Sequence, residues 1–515
     1  MSTATISNNV HLCTYVDRLG QDAVGLKKLL NKEFAGLFGG VHLLPFYSPI
    51  DGLDAGFDPI DHTMVDPRLG TWKDIENIAE DYDLMVDMIV NHISASSPEF
   101  LSFLESGEQS LFYDLFLTFE SVFPNGATEA DLTEIYRPRP GLPFTPFKLA
   151  DGSVKLVWTT FTSNQIDIDV NSDAGREYLN RIVATFSRSN IKLLRLDAVG
   201  YAVKSKGTDC FLTSNTFAFI KELRTEIAKY GMKVLVEIHS HYATQIGISR
   251  HSDYVYDFAL PPLVLHALYR RTSLYLQRWL NISPRNCITV LDTHDGIGII
   301  DVARDGKEDG ILEDAEIDFL VEEIHLRSEG QSRKATGSAA SNVDLYQVNC
   351  TIYSALGEDD HLYLLARLIQ FFCPGIPQVY YVGLLAGSND MGLLSKTNVG
   401  RDINRHYYSK EEISKRRQVE VVKHLFSLIE FRNKCSVFNG DFSIVDTSTD
   451  NLLIRWVEGK LLVSLFIDLE NLNFEVTIDD KGNKQVVDSW AGFSDLDFLA
   501  QPADSKSKGI LGVLG

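Results

Sequence analysis

Positive charge is in short supply in this chain: 48 lysines and arginines stand against 70 aspartates and glutamates over 515 residues, a formal net charge of -22. Nucleic acid and anionic membrane are thereby excluded as partners, because binding either needs a basic face that displaces counterions. Small neutral substrates fit better. Cysteine is scarce as well. The six cysteines, Cys13, Cys210, Cys287, Cys350, Cys373 and Cys435, are scattered without a CxxC pair, which signals neither a disulfide framework nor a zinc site and leaves reduced, mostly buried thiols as the expected state. The chain does not open on a basic region followed by an apolar stretch, and nothing in it reaches about 18 uninterrupted apolar residues. A cytoplasmic protein with no membrane partner is expected. HExxH and other metal-ligand spacings are missing, as is a GxGxxG following a strand, so neither a metal centre nor a dinucleotide-dependent dehydrogenase is expected.

What the chain does have is a large apolar complement, 44%, enough for a sizeable core and, by length alone, for roughly two to four domains. Eight short β-rich segments punctuate the first 390 residues: HLCTYVD, GVHLLPF, LMVDMIV, IKLLRLD, KVLVEIH, DYVYDFAL, CITVLDT and PQVYYVG. Between most of them lie stretches such as TWKDIENIAEDY and GREYLNRIVATFSRS, whose apolar residues recur three or four apart, the period of a helix. Eight strands alternating with helices predict an α/β fold, a TIM-type (β/α)8 barrel. Two connections are too long for ordinary barrel loops. We therefore expect a barrel formed by 1–92, 170–296 and 358–437, with inserted subdomains at 93–169 after strand 3 and at 297–357 after strand 7. The first insertion carries a helix candidate at SPEFLSFLESG and the proline-rich turn YRPRPGLPFTPF; the second carries an acidic helix candidate, EDAEIDFLVEEIHLR. From 438 to 515 the alternating segments NLLIRWVEG, KLLVSLFIDL and NFEVTI predict a small all-β domain ending in a frayed tail.

Three of the strand segments end in acids. IKLLRLD delivers Asp197, with Arg195 two residues before it, KVLVEIH delivers Glu237, and ITVLDTHDG delivers Asp295 after His294. In a parallel barrel the active site is built at the C-terminal strand ends. Three acids there suit cleavage of a glycosidic bond, which needs a nucleophile, a proton donor and a counter-charge for an oxocarbenium-like transition state.

The runs VDMIVNH (86–92), LLRLDAVGY (193–201), VLVEIHS (234–240) and VLDTHDG (290–296) resemble the four signature regions of the α-amylase clan, glycoside hydrolase family 13, and the likeness spans almost the whole chain. DGLDAGFDPIDH, YRPRPGLPF, SNVDLYQVN and GRDINRHYY resemble that family's sucrose phosphorylase branch more narrowly. The branch implies a retaining phosphorylase that passes glucose from sucrose to inorganic phosphate. Relatives with sucrose 6'-phosphate, glucosylglycerol or glucosylglycerate as donor, a sucrose hydrolase, and a catalytically silent binding barrel are the alternatives. No organic cofactor and no metal are implied. Oligomeric state is not written in the sequence; the branch offers a homodimer as one option.

The same resemblance implies roles. Asp197 becomes the nucleophile that forms a covalent glucosyl ester, with Arg195 keeping it ionised. Glu237 becomes the general acid and then base, and Asp295 grips sugar hydroxyls. His92 and His294 donate to the glucose, Asp54 and Arg401 clamp its far edge, and Phe57, Phe161 and Tyr201 form an apolar wall. A phosphate dianion entering a pocket with three acids needs a local cation. Arg139 in the proline-rich turn is the candidate, since guanidinium binds phosphate in bidentate fashion, with Arg137 as the alternative. Tyr346 and Gln347 form the opposite wall, and Tyr136 and Asp344 complete the acceptor site.

Overall fold

A computed structural model of the chain describes residues 5–496 apart from 53, 139–140, 307 and 339–346. All eight β-rich segments form strands of one closed parallel barrel: β1 (His11–Thr14), β2 (Gly40–Leu43), β3 (Asp83–Ile89), β4 (Leu193–Asp197), β5 (Lys233–Val236), β6 (Tyr254–Asp257), β7 (Cys287–Thr289) and β8 (Ile376–Tyr380). Each strand pairs with its sequence neighbours, and β8 closes on β1. The intervening helices are started by local caps: Asp22, Ser172, Thr213 and Asp359 accept backbone N–H bonds at the heads of Ala23–Lys32, Asp173–Arg188, Ser214–Lys229 and Asp360–Phe372. Such caps satisfy donors that the first helical turn leaves open.

Strand periodicity decides what enters the barrel. Successive side chains point to opposite faces, so in β4 Leu194 and Leu196 pack outward beneath the helices while Leu193, Arg195 and Asp197 point in. The register puts Leu193 beside Met85 and Arg195 beside Asp87. The lower interior is apolar, filled by Met85, Leu193, Leu235, Ile288 and Ile376. One level higher the inward residues are polar: His42, Asp87 and Arg195 are all buried. The barrel therefore changes from an oily plug to a charged floor within one strand period.

Above that floor, residues after β3 form the helix Pro98–Ser106 and a hairpin of Phe144–Lys148 with Val154–Trp158. The second half of the proline-rich turn is thus extended and paired. A small cluster of Leu117, Val122, Phe123, Ile135, Trp158 and Cys210 gives this region its own core. After β7, Ile297–Gly298 pairs with Gln347–Val348, and the acidic segment forms the helix Asp314–Arg327. The C-terminal sheet is an antiparallel meander of β9 (Asp441–Val445), β10 (Asn451–Glu458), β11 (Leu461–Asp468), β12 (Asn473–Asp480) and β13 (Asn483–Val487). It is anchored to the barrel by Trp456, whose indole N–H donates to Phe372 O at 2.9 Å. The expected tail lies outside the described residues. Among the described residues no helix is long and apolar enough to cross a membrane.

One buried group makes the barrel's stability depend on pH. Asp257, at the end of β6, is pushed up to about 7 by burial, opposed by the Trp279 indole N–H, which donates to its carboxylate at 2.9 Å. An acid whose folded value lies above its unfolded value of about 3.9 holds a proton that the unfolded chain releases, so stability falls as pH rises between about 4 and 7, by roughly 4 kcal/mol for this group. Asp257→Asn removes this pH dependence. Its thermal midpoint should gain on that of the wild type as pH is raised from 5 to 8, and a difference independent of pH would contradict this.

Candidate active site

The floor of the site is set by Arg195, which is buried together with Asp87 at the neighbouring position of β3. Its Nη1 hydrogen-bonds both Asp87 and Asp197, the latter at 2.8 Å, while Nη2 lies 3.7 Å from Glu237 Oε1. One guanidinium thus faces three carboxyls. Burial works against its charge, but Asp87, Glu237 and Asp197 outweigh burial and hold its pKa well above the ordinary value. Asp87 is shifted the other way, because Arg195 and His42 overcome its burial. The Asp197 carboxyl stays well above the usual range: burial pushes it up, Arg195 pulls it down, and the charge of Glu237 pushes it up again. Ala198, which follows Asp197, adopts the left-handed conformation (φ 53°, ψ 18°), a sparsely populated state for a non-glycine residue, and so turns the chain sharply at the strand end.

Asp295 stands across the cavity. Burial disfavours its charge, yet Arg401 above all, with His239 and Arg405, holds it far below the usual carboxylate range. Arg401 Nη1 lies 3.0 Å from Asp295 Oδ1 and 3.8 Å from Asp54 Oδ1, and the buried Arg405 is also 3.8 Å from Asp54. The 3-10 turn Gly400–Asn404 props the Asp295 loop from behind: Asn404 donates to Thr293 O at 2.8 Å and Arg405 to His294 O at 3.0 Å. Asp54 sits on a tight turn with Ala55 and Gly56 at positive φ, where a Cβ on Gly56 would meet Pro45 O at 3.0 Å. Burial raises its pKa, but Arg401 and Arg405 prevail and leave it below the ordinary value.

The walls are aromatic. Phe57 stacks on His294 with centroids 4.8 Å apart and planes 7° from parallel, and Phe161 meets His92 edge-on. On the other side Tyr136 stacks on Phe211 at 4.5 Å, and Tyr201 packs against both Phe211 and Phe161. Burial drives His294 down to about 3, so its imidazole is neutral. Burial lowers His92 too, and its Nε2 lies 3.0 Å from Phe57 O, so its donor is already engaged.

Together these groups enclose one cavity of about 410 Å³ at the C-terminal strand ends. Asp54, Phe57, His92, Tyr136, Phe161, Asp197, Tyr201, Glu237, His294, Asp295, Gln347 and Arg401 all line it, as does Arg137; Arg195 lies just beneath. Arg139, Asp344 and Tyr346 fall outside the described residues. Sequence reasoning missed Asp87, Gln165, Phe211, His239, Asp301 and Arg405. His239 lines the cavity, stacks on Phe258 and contacts the buried Asp301 at 2.8 Å through Nδ1. Donor atoms of Glu237, His239 and Asp295 come within 4.8 Å of one another. The guanidinium 3.0 Å from Asp295 opposes a cation there, and we assign no metal.

Residues 37–259 match the Alpha-amylase family, described as alpha amylase, catalytic domain. A protein of Agrobacterium vitis named sucrose phosphorylase is 56% identical over 454 residues, 88% of this chain and 93% of that one. A protein of the same name from Bifidobacterium adolescentis is 52% identical over 455 residues, covering 88% and 90%. The crystal structure of sucrose 6F-phosphate phosphorylase from Thermoanaerobacter thermosaccharolyticum superposes with a TM-score of 0.86 at 38% identity, over 95% of this chain and all of that one. The chain belongs to the sucrose phosphorylase family.

Proposed function

We propose that this chain is a retaining disaccharide phosphorylase that transfers the glucosyl unit of sucrose to inorganic phosphate, giving α-D-glucose 1-phosphate and D-fructose. The observation that carries the mechanism is Arg195 between two carboxyls, with one nitrogen hydrogen-bonded to Asp197 at 2.8 Å and the other 3.7 Å from Glu237. The 2.8 Å bond to Arg195 favours the ionised, attacking form of Asp197 against the burial that pushes its carboxyl up. Asp197 attacks the anomeric carbon while Glu237 protonates the departing fructose oxygen. Asp197 then becomes a neutral ester as Glu237 becomes an anion, so the negative charge crosses from one side of Arg195 to the other and the buried guanidinium stays balanced throughout. Phosphate enters, Glu237 takes its proton, and attack from the face that fructose left restores the α configuration. Neutral His294 and the carboxylates of Asp295 and Asp54 contact the ring hydroxyls.

The far end of the cavity is closed by Asp54, Arg401 and Arg405, which leaves room for one glucose and no longer chain. Asp54→Ala opens that end and removes a charged hydrogen-bond acceptor, which is expected to raise the sucrose KM by about tenfold to a hundredfold; a KM within a factor of two of wild type would remove Asp54 from the clamp. At the open end Arg137 borders the cavity with Tyr136 and Pro138 and supplies positive charge for the phosphate dianion, with Arg139 as its neighbour in sequence. A donor with phosphorylated fructose would need a further cation, where this chain carries Pro138 and Tyr346. All six cysteines are free and buried, which supports a reducing cytoplasm as the place of action. Glucose 1-phosphate release in phosphate buffer, compared across sucrose, sucrose 6'-phosphate, glucosylglycerol and glucosylglycerate, tests the assignment. Sucrose should give the highest kcat/KM. Free glucose as the main product would make the protein a hydrolase, and a higher value for another donor would overturn the acceptor-site reading.

A further inference from the structure

Beneath the cavity, out of reach of any substrate, a hydrogen-bonded series crosses the barrel interior from β8 to β4. Gln378 Nε2 donates to the Tyr256 hydroxyl at 3.3 Å, and that hydroxyl lies 3.3 Å from His42 Nδ1. His42 Nε2 lies 2.9 Å from Asp87 Oδ2, and the other oxygen of Asp87 holds Arg195. Every side chain in the series is buried, and His42 does not border the cavity. The directions of the bonds follow from chemistry. An ionised carboxylate only accepts, so His42 Nε2 carries a proton and donates; in the imidazole form Nδ1 is then the acceptor. The Tyr256 oxygen already accepts from Gln378, so its own proton is free to point at Nδ1. The Cys13 thiol, 3.4 Å from the same nitrogen, is a weaker donor to it.

We infer that His42 is a positioning residue that, through Asp87 and Arg195, sets the charge and aim of the Asp197 carboxylate. The series brings donor after donor to bear on Asp87. It fixes the rotation of that carboxylate and takes up part of its charge, so that Arg195 is not drawn wholly onto Asp87 and keeps its second bond, to Asp197. Without the imidazole the full charge of Asp87 falls on Arg195. The guanidinium then settles toward β3, and Asp197 loses the partner that favours its ionised form and aims it. A low-dielectric interior makes such a network strong when every member is satisfied and disruptive when one is removed.

The inference rests on Asp197 as the attacking group, and its test reads the first chemical step alone: rapid-mixing release of fructose from sucrose, or of the phenol from an aryl α-glucoside. His42→Phe should slow that release at least tenfold while changing the sucrose KM less than threefold. His42→Gln, whose amide N–H can still reach Asp87, should recover to within threefold of wild type. That rescue separates positioning from bulk packing, since both variants disturb the core. Tyr256→Phe removes the donor to Nδ1 at nearly constant volume and should slow the step about threefold, and it carries the test if His42→Phe fails to fold. Wild-type rates in His42→Phe or in Tyr256→Phe, or equal losses in the two His42 variants, would overturn the inference. Because leaving-group release is measured rather than phosphate transfer, failure of phosphorolysis as the activity would show separately, as wild-type release without glucose 1-phosphate.

Discussion

Asp197→Asn is expected to lower glucose 1-phosphate formation from sucrose by about ten-thousandfold or more, the scale on which removal of an attacking group acts. The amide has the shape of the carboxylate but no charge to give to the anomeric carbon. Arg195 retains Asp87 as a full counter-charge, so the variant should fold, with a far-ultraviolet circular dichroism spectrum matching wild type. Sugar binding should survive as well, because Asp54, Arg401 and Asp295 lie on other loops, and sucrose should still protect the variant against thermal unfolding. Retention of more than about one-hundredth of the activity would place the attacking group elsewhere.

Glu237→Gln should separate the two halves of the reaction. With sucrose, whose fructose oxygen must be protonated as it leaves, the first step should slow by about a hundredfold to ten-thousandfold. With α-glucosyl fluoride, whose leaving group needs no proton, the first step should slow far less, and the glucosyl-enzyme should accumulate because phosphate no longer meets a base. Azide, an anion with no proton to lose, should then accept the glucosyl unit and give the α-azide. Equal losses on sucrose and on the fluoride would show that Glu237 is not the proton donor. The geometry supports the separation: Glu237 contacts Arg195 only at 3.7 Å, against 2.8 Å for Asp197, so the two acids meet the same cation on unequal terms.

The barrel could be read from the chain because each of its strands is a short apolar run bounded by turn residues, and because helical periodicity fills the gaps. The C-terminal sheet was read only in its centre. β10, β11 and β12 alternate buried with half-buried or exposed residues, whereas the outer strands β9 and β13 are mostly half-buried or exposed, and an edge strand with water on one side carries a weaker apolar signal. In the site, the acids announced themselves at strand ends, and the family resemblance supplied the sugar clamp. The lateral partners did not announce themselves. Asp87 and Arg195 are 108 residues apart and meet only because the β3–β4 register aligns them. His239 and Asp301 meet across a loop that no local pattern marks. Arg405 lay within a run already singled out for Arg401, and its spacing, four residues further on, was the available clue. Phe211 is one phenylalanine among 29, and nothing beside it in sequence distinguishes a cavity wall from a core. Register and loop closure are three-dimensional facts, and these residues depend on them.

Trapping the glucosyl-enzyme tests the central claim most directly. Wild-type protein mixed with α-glucosyl fluoride in the absence of phosphate, quenched in acid within milliseconds and digested, should yield one peptide carrying a single anhydroglucose, with fragmentation placing it on Asp197. Addition of phosphate before the quench should discharge it to α-D-glucose 1-phosphate. A protein that forms product with no trapped sugar, a sugar on any other residue, or a β-configured product would contradict double displacement through Asp197.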